Sequence, residues 1–129
     1  MNTFLPFPEF DKSAQVLDRQ RLGKQRVEVL QLLKGQWPNH PAAKMWRGYE
    51  HALGLYGLAI CREWKARSYK DTCYEKIEAL LAPHPKRLPP WLGDDAFHRA
   101  HQSNLVRKLP EHYRRYFPEI PDSLPYIWP

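Results

Sequence analysis

Cysteine is scarce in this chain: Cys61 and Cys73 are the only two among 129 residues. That excludes a disulfide scaffold, and in a reducing compartment both stay thiols and read as small buried hydrophobes. No stretch approaches the roughly 20 apolar residues that cross a bilayer, so no membrane span is expected and no membrane partner is foreseen, although basic chains also include membrane-surface binders. The opening MNTFLPFPEFDKS has no charged start followed by an apolar run, so no signal peptide is expected. A cytoplasmic, nucleoid-associated location follows as the expectation. There is no CxxC, no HExxH, no Walker-type glycine loop, no GxSxG elbow and no paired-carboxylate motif. Metal sites, phosphoryl transfer and serine hydrolysis therefore find no support, and no cofactor is expected. No segment alternates apolar and polar residues over a useful length, and there is neither an internal repeat nor a low-complexity tract. The fold class expected is all-α, a single domain over 1–129.

What the chain does have is positive charge set among rings. The net charge is +6 and the pI near 9.4. RQRLGKQR at 19–26 carries Arg19, Arg21, Lys24 and Arg26 with no acid inside it. FHRAHQSNLVRKLPEHYRRYF at 97–117 carries Arg99, Arg107, Lys108, Arg114 and Arg115 with Glu111 as its single acid. Cations neutralise phosphates and release counterions, while rings and guanidinium planes stack on bases. The pattern points to nucleic acid.

Periodicity and punctuation predict about four helices between extended arms. Pro6 and Pro8 force the opening into extended geometry. Asp11 or Ser13 can cap a first helix over 13–34, with Leu22, Val29 and Leu33 at helical spacing and Gly35 ending it. Gly23 inside it costs about 1 kcal/mol relative to alanine, which is either tolerated or marks a close approach. Trp46, Tyr49, Leu53, Tyr56, Ile60 and Trp64 stripe a second helix over 42–67, the expected core. Further helices are expected over 72–82 and 95–108, with a short piece over 111–116 begun by Pro110. The proline-rich tail from Phe117 carries Ile120, Leu124, Tyr126, Ile127 and Trp128, too apolar to hang free, and is expected to lie pinned to the surface.

Four groups of residues are candidates for function. Asp18, Arg21, Gln25 and Glu28 share one helix face, which sets carboxylates among cations; the same spacing also suits ordinary surface pairs. His98 and His101 lie one turn apart and could contact phosphate or an abasic sugar, or simply face solvent; with no third ligand motif beside them, metal is not favoured. Asn39-His40-Pro41 puts His40 in a constrained loop, where Asn39 could also serve as a cap. Tyr113 and Tyr116 flank Arg114 and Arg115 and could stack on bases or pack the final segment.

Four segments, MNTFLPFPEF at 1–10, LDRQRLGKQRVE at 17–28, NHPAAKMWRGYE at 39–50 and HQSNLVRKLPEHYRRYF at 101–117, together resemble the pyrimidine-dimer DNA glycosylase/endonuclease V family, in its MNTFLP-type branch. The resemblance covers about 40% of the chain. It implies a compact helical domain that kinks duplex DNA and flips a base, an N-terminal α-amine that attacks C1′ to form a Schiff base, and β-elimination that breaks the strand, with a helix glutamate assisting. An α-amine titrates well below a lysine, so a useful fraction of such groups is neutral and nucleophilic near neutral pH. Extruding a base costs a few kcal/mol, least where pairing is damaged.

Carried over residue by residue, the resemblance makes Met1 the amine, because Asn2 is too large for the usual methionine removal. Aligning on Arg26 and Val27 puts Gly23 where the family has its glutamate, which leaves Glu28 or Asp18 as the carboxylate. Met1, Asn2, Asp18, Gln25 and Glu28 form the expected catalytic set. Arg19, Arg21, Lys24, Arg26, His40, Arg47, His98, His101, Arg107, Lys108, Tyr113 and Arg114 form the expected DNA-binding set. The expected activity is a DNA N-glycosylase with possible AP-lyase activity, acting as a monomer on duplex DNA holding a damaged or modified base. The alternatives are a non-catalytic nucleic-acid-binding module and an enzyme acting on a modified nucleoside or on RNA.

Overall fold

A computed structural model describes residues 1–129 as seven helices with no strand. They are α1 (Phe10–Val16), α2 (Arg19–Leu33), α3 (Pro41–Trp46), α4 (Glu50–Ala66), α5 (Tyr74–Ala79), α6 (Asp95–Lys108) and α7 (Pro110–Tyr113). None is long and apolar enough to cross a membrane.

Two of the expected helices are in fact pairs. The helix expected over 13–34 breaks at Leu17 and Asp18, both in extended backbone. The break has a tertiary cause. The Asp18 N–H, which a continuous helix would direct at Ala14, donates instead to the Tyr113 hydroxyl at 2.9 Å. Asp18 then caps α2, its Oδ2 accepting the Arg21 N–H at 3.3 Å. The helix expected over 42–67 breaks at Arg47 and Gly48. Gly48 sits at φ +86°, the left-handed conformation that glycine adopts without a Cβ penalty, and its N–H donates to Glu50 Oε2 at 2.8 Å. α5 is shorter than its expected 72–82, with Cys73 at its N-cap position, and Asp71 two residues earlier accepts the N–H groups of Cys73 at 3.1 Å and Tyr74 at 2.8 Å. α6 follows its expected span, with Asp94 as cap.

α4 is the centre, packing against α1, α2 and α5. Its small residues make that possible. A Cβ on Gly57 would stand 2.6 Å from Val29 Cγ1 of α2, so the glycine's helix cost of about 1 kcal/mol is the condition for close packing. Trp46, Tyr56, Phe97, Leu5, Leu17, Leu22, Ile60 and Leu105 fill the core. Cys61 and Cys73 are buried free thiols within it. The tail is held to α6 and α7. Ser103 Oγ accepts the Leu124 N–H at 3.0 Å, and Arg114 donates to the carbonyls of Phe117, Pro118 and Ile120.

Candidate active site

The N-terminal arm is held by side chains rather than by a strand partner. Phe4 and Leu5 are buried, at 8% and 0% exposure, and each such burial contributes about 1.5–3 kcal/mol. Ordering the backbone costs about 1–2 kcal/mol per residue, so two apolar anchors leave about half the cost of a six-residue arm unbalanced. Hydrogen bonds supply the rest. Gln25 of α2 donates its amide to the Asn2 carbonyl at 2.7 Å and accepts the Phe4 N–H at 3.1 Å. The Tyr56 hydroxyl lies 2.7 Å from the Phe4 carbonyl oxygen and 2.8 Å from Gln25 Oε1. Trp46 donates its indole N–H to Thr3 Oγ1 at 2.9 Å. His101 Nδ1 accepts the Leu5 N–H at 2.9 Å, while His98 Nδ1 meets the Leu5 carbonyl at 2.7 Å. Gln102 and Ser13 take the carbonyls of Pro6 and Phe7.

The arm ends at a cleft of about 390 Å³ lined by Met1, Asn2, Phe4, Gln20, Arg21, Lys24, Gln25, Glu28, Lys108, Tyr126 and Trp128. Met1 is 42% exposed, whereas Asn2 is buried. Arg21, Lys24 and Lys108 supply positive charge from two helices, and Tyr126 and Trp128, stacked at 5.5 Å, form an aromatic wall.

The two candidate carboxylates differ in environment. Glu28 Oε2 is buried with no hydrogen-bond partner. Burial pushes the Glu28 carboxyl above its ordinary range, against the opposing pull of the Met1 amine and then Lys24. Asp18 is fully engaged, its Oδ1 taking both the Tyr113 hydroxyl and Arg21 Nη1, the latter at 3.2 Å. Burial works to raise Asp18, but the Tyr113 hydrogen bond and then the Arg21 contacts outweigh it and hold the carboxyl below its usual value. The structure therefore gives Asp18 a capping place and Glu28 a place on the cleft.

Gly23, at the position where the resemblance implies a glutamate, faces the Trp64 ring, and a Cβ there would lie 3.0 Å from Trp64 Cη2. The Trp64 indole occupies the space that a side chain at position 23 would enter.

The expected DNA-binding set divides. Arg19, Arg21, Lys24 and Lys108 lie on the cleft or beside it, Arg19 with its guanidinium 5.4 Å over the Tyr69 ring. His40 caps α3 by accepting the Ala42 N–H at 3.0 Å and stands edge-on to Trp128. Burial and then the nearby Met1 charge lower its pKa. Arg47 is exposed and donates to the Pro38 carbonyl.

The others are placed elsewhere than expected. His98 and His101, read from sequence as groove or solvent residues, are 4% and 1% exposed and bind the arm, because Phe97 and Ala100 of the same helix turn that face into the core. Tyr113 is fully buried against Asp18. Arg26 pairs with Asp71 at 2.6 Å, with its guanidinium 4.6 Å over the Trp64 ring. Arg107 and Arg114 donate to carbonyls of the tail. In this arrangement these six rings and cations are engaged within the protein, the three histidine and tyrosine rings buried, Arg26 and Arg114 half-buried and Arg107 exposed. Besides Phe4 of the arm, three cleft residues were missed from sequence: Gln20, Tyr126 and Trp128. The first sits one helical turn before Lys24, a signal that spacing carried, whereas the other two come to the cleft only through the path of the tail.

Basic charge, an aromatic wall and an amine-bearing arm converging on one cleft describe a protein that acts on nucleic acid. Residues 1–76 match the family model described as pyrimidine dimer DNA glycosylase. That is more than half of the chain, which belongs to this family and is in that sense a DNA glycosylase. The match spans the arm and α1 to α4 and reaches into α5, and so includes Met1 and Glu28; Lys108, Tyr126 and Trp128 lie beyond it. No curated protein and no solved structure matches significantly.

Proposed function

We propose that the protein is a DNA N-glycosylase with AP-lyase activity that acts as a monomer on a damaged base in duplex DNA, with the Met1 α-amine as nucleophile and Glu28 as its proton acceptor. The observation that carries this reading is that the amine and the one partnerless buried carboxylate oxygen belong to the same cationic cleft. The protonated amine must lose a proton before it can attack, and a carboxylate whose charge is made costly by burial gains by taking it. The amine nitrogen forms a bond to C1′ as the C1′–base bond breaks, its electron pair leaving with the base, which is protonated. Opening of the sugar ring gives the imine. Loss of a C2′ proton then expels the 3′ phosphate and breaks the strand. Arg21, Lys24 and Lys108 hold the flanking phosphates, and Tyr126 and Trp128 offer faces to a displaced base.

The test is borohydride trapping on labelled duplexes, one holding an abasic site and one a cyclobutane dimer, with peptide mapping of the adduct. An adduct at Met1 on both supports the full reading. Trapping on the abasic duplex alone keeps the lyase step and reopens the choice of base. Tight binding with no adduct moves the assignment to a non-catalytic DNA-binding module. The Glu28→Gln variant should bind duplex as before and trap at least tenfold more slowly, the low end of what a positioned general base contributes.

A further inference from the structure

We propose that His98 and His101 are positioning residues that set the register of the N-terminal amine by gripping both peptide groups of Leu5. The proposal rests on the amine reading above and goes beyond it, because neither histidine lines the cleft; His101 stands edge-on behind the Phe4 and Tyr126 rings that do.

The geometry is specific. The two side chains lie one turn apart on α6 and hold one residue of the arm from both sides: His101 Nδ1 accepts its N–H at 2.9 Å and His98 Nδ1 reaches its carbonyl oxygen at 2.7 Å. The roles fix the chemistry of each ring. His101 must carry no proton on Nδ1. His98 accepts the Gly93 N–H on Nε2 at 2.9 Å, so its proton sits on Nδ1 and is donated to Leu5. Both rings are thus neutral, each as one defined tautomer. Phe97, with its ring centroid 4.4 Å from that of His101, packs the pair in place.

Leu5 is the last arm residue before Pro6, so α6 grips the arm at the foot of its extended run toward Met1. Of the four residues beyond it, Asn2, Thr3 and Phe4 are tied to α2, α3 and α4 through Gln25, Trp46 and Tyr56, and Met1 extends from them. A nucleophile on a chain terminus loses rate when the terminus wanders, and a 1 Å misplacement can cost on the order of 100-fold. An apolar core side chain at 98 or 101 would fill the same volume but leave a Leu5 peptide group unpaired. That is why these positions need imidazole rather than leucine.

Single-turnover trapping on an abasic duplex, binding to an uncleavable duplex, melting temperature and amide exchange at Leu5 are compared for the wild type, His101→Leu and His101→Asn. An asparagine oxygen can occupy the place of Nδ1 and accept the Leu5 N–H. Folded His101→Leu should trap ten- to a hundredfold more slowly with duplex affinity within twofold and faster Leu5 exchange, and His101→Asn should recover most of the trapping rate. Equal trapping by folded His101→Leu overturns the proposal, as does a loss of affinity that matches the loss of rate. Should His101→Leu not fold, His98→Met carries the same comparison, since a thioether of similar size has no proton to donate to the Leu5 carbonyl. A wild type that forms no Met1 adduct overturns the amine reading and this proposal with it. A wild type that traps beside a variant that traps equally overturns the proposal alone.

Discussion

Tyr113 and Asp18, 95 residues apart in sequence, are joined twice through one phenolic oxygen: the hydroxyl donates to Asp18 Oδ1 and accepts the Asp18 N–H at 2.9 Å. One contact ends α1, begins α2 and attaches α7 to both. Tyr113→Phe keeps the packing, strips a buried N–H of its partner and takes one of three donors from the Asp18 carboxylate, which should cost about 1–3 kcal/mol. Thermal or urea unfolding measures the loss. Duplex affinity of the folded variant should stay at the wild-type value, whereas a groove residue would lower it.

The basic residues should separate into two kinds by salt dependence. Lys24→Met and Lys108→Met each remove a cation from the cleft and should lower the slope of log affinity against log salt by about one. Arg26→Met should leave the slope unchanged. Its cost falls on folding, because it leaves Asp71, whose side chain is 1% exposed, buried without its cation. Breaking such a pair costs about 3–5 kcal/mol. A salt titration of binding beside a melt of each variant distinguishes the two kinds.

This division shows what was legible in the sequence. The all-α class, the core stripe of α4 and the bounds of α6 rest on local spacing and caps, which a chain displays directly. The break at Asp18 was not legible, because its cause is Tyr113. Helical spacing set His98 and His101 on one face but could not say which way that face turned. The basic run at 19–26 announced a cationic surface, yet Arg26 was spent on Asp71 of a later segment. The cleft was legible in part: Met1, Glu28 and Lys24 stood out as an amine, a carboxylate and a cation, while Tyr126 and Trp128 reach it by the fold of a tail with no periodicity to read.

Placing a glutamate at position 23, where the resemblance implies one, should fail. A Cβ there already meets the Trp64 ring at 3.0 Å, and the rest of a glutamate side chain must displace an indole that also stacks on Tyr69 and covers Arg26. Gly23→Glu should lose about 1–3 kcal/mol of stability through overpacking. It should also show no gain in trapping rate on an abasic duplex. A gain would mean that position 23, and not 28, is where the cleft wants its carboxylate.

Acid should weaken the fold through His101. Burial, and then the neighbouring His98, hold its pKa down to about 3 from an ordinary value of 6.5. Above pH 6.5 the ring is neutral in both folded and unfolded chains, and its contribution is complete. As pH falls below 6.5 the unfolded chain takes up a proton that the native ring refuses until about pH 3. Stability then declines by about 1.4 kcal/mol per pH unit from this group. Between pH 6.5 and 5 the loss is about 2 kcal/mol, and it should appear as a falling unfolding midpoint in urea. His101→Asn cannot take up that proton, so its stability should fall less steeply over the same interval. Profiles that run parallel for the two proteins would show that the native ring protonates, and that the Leu5 N–H has another acceptor available.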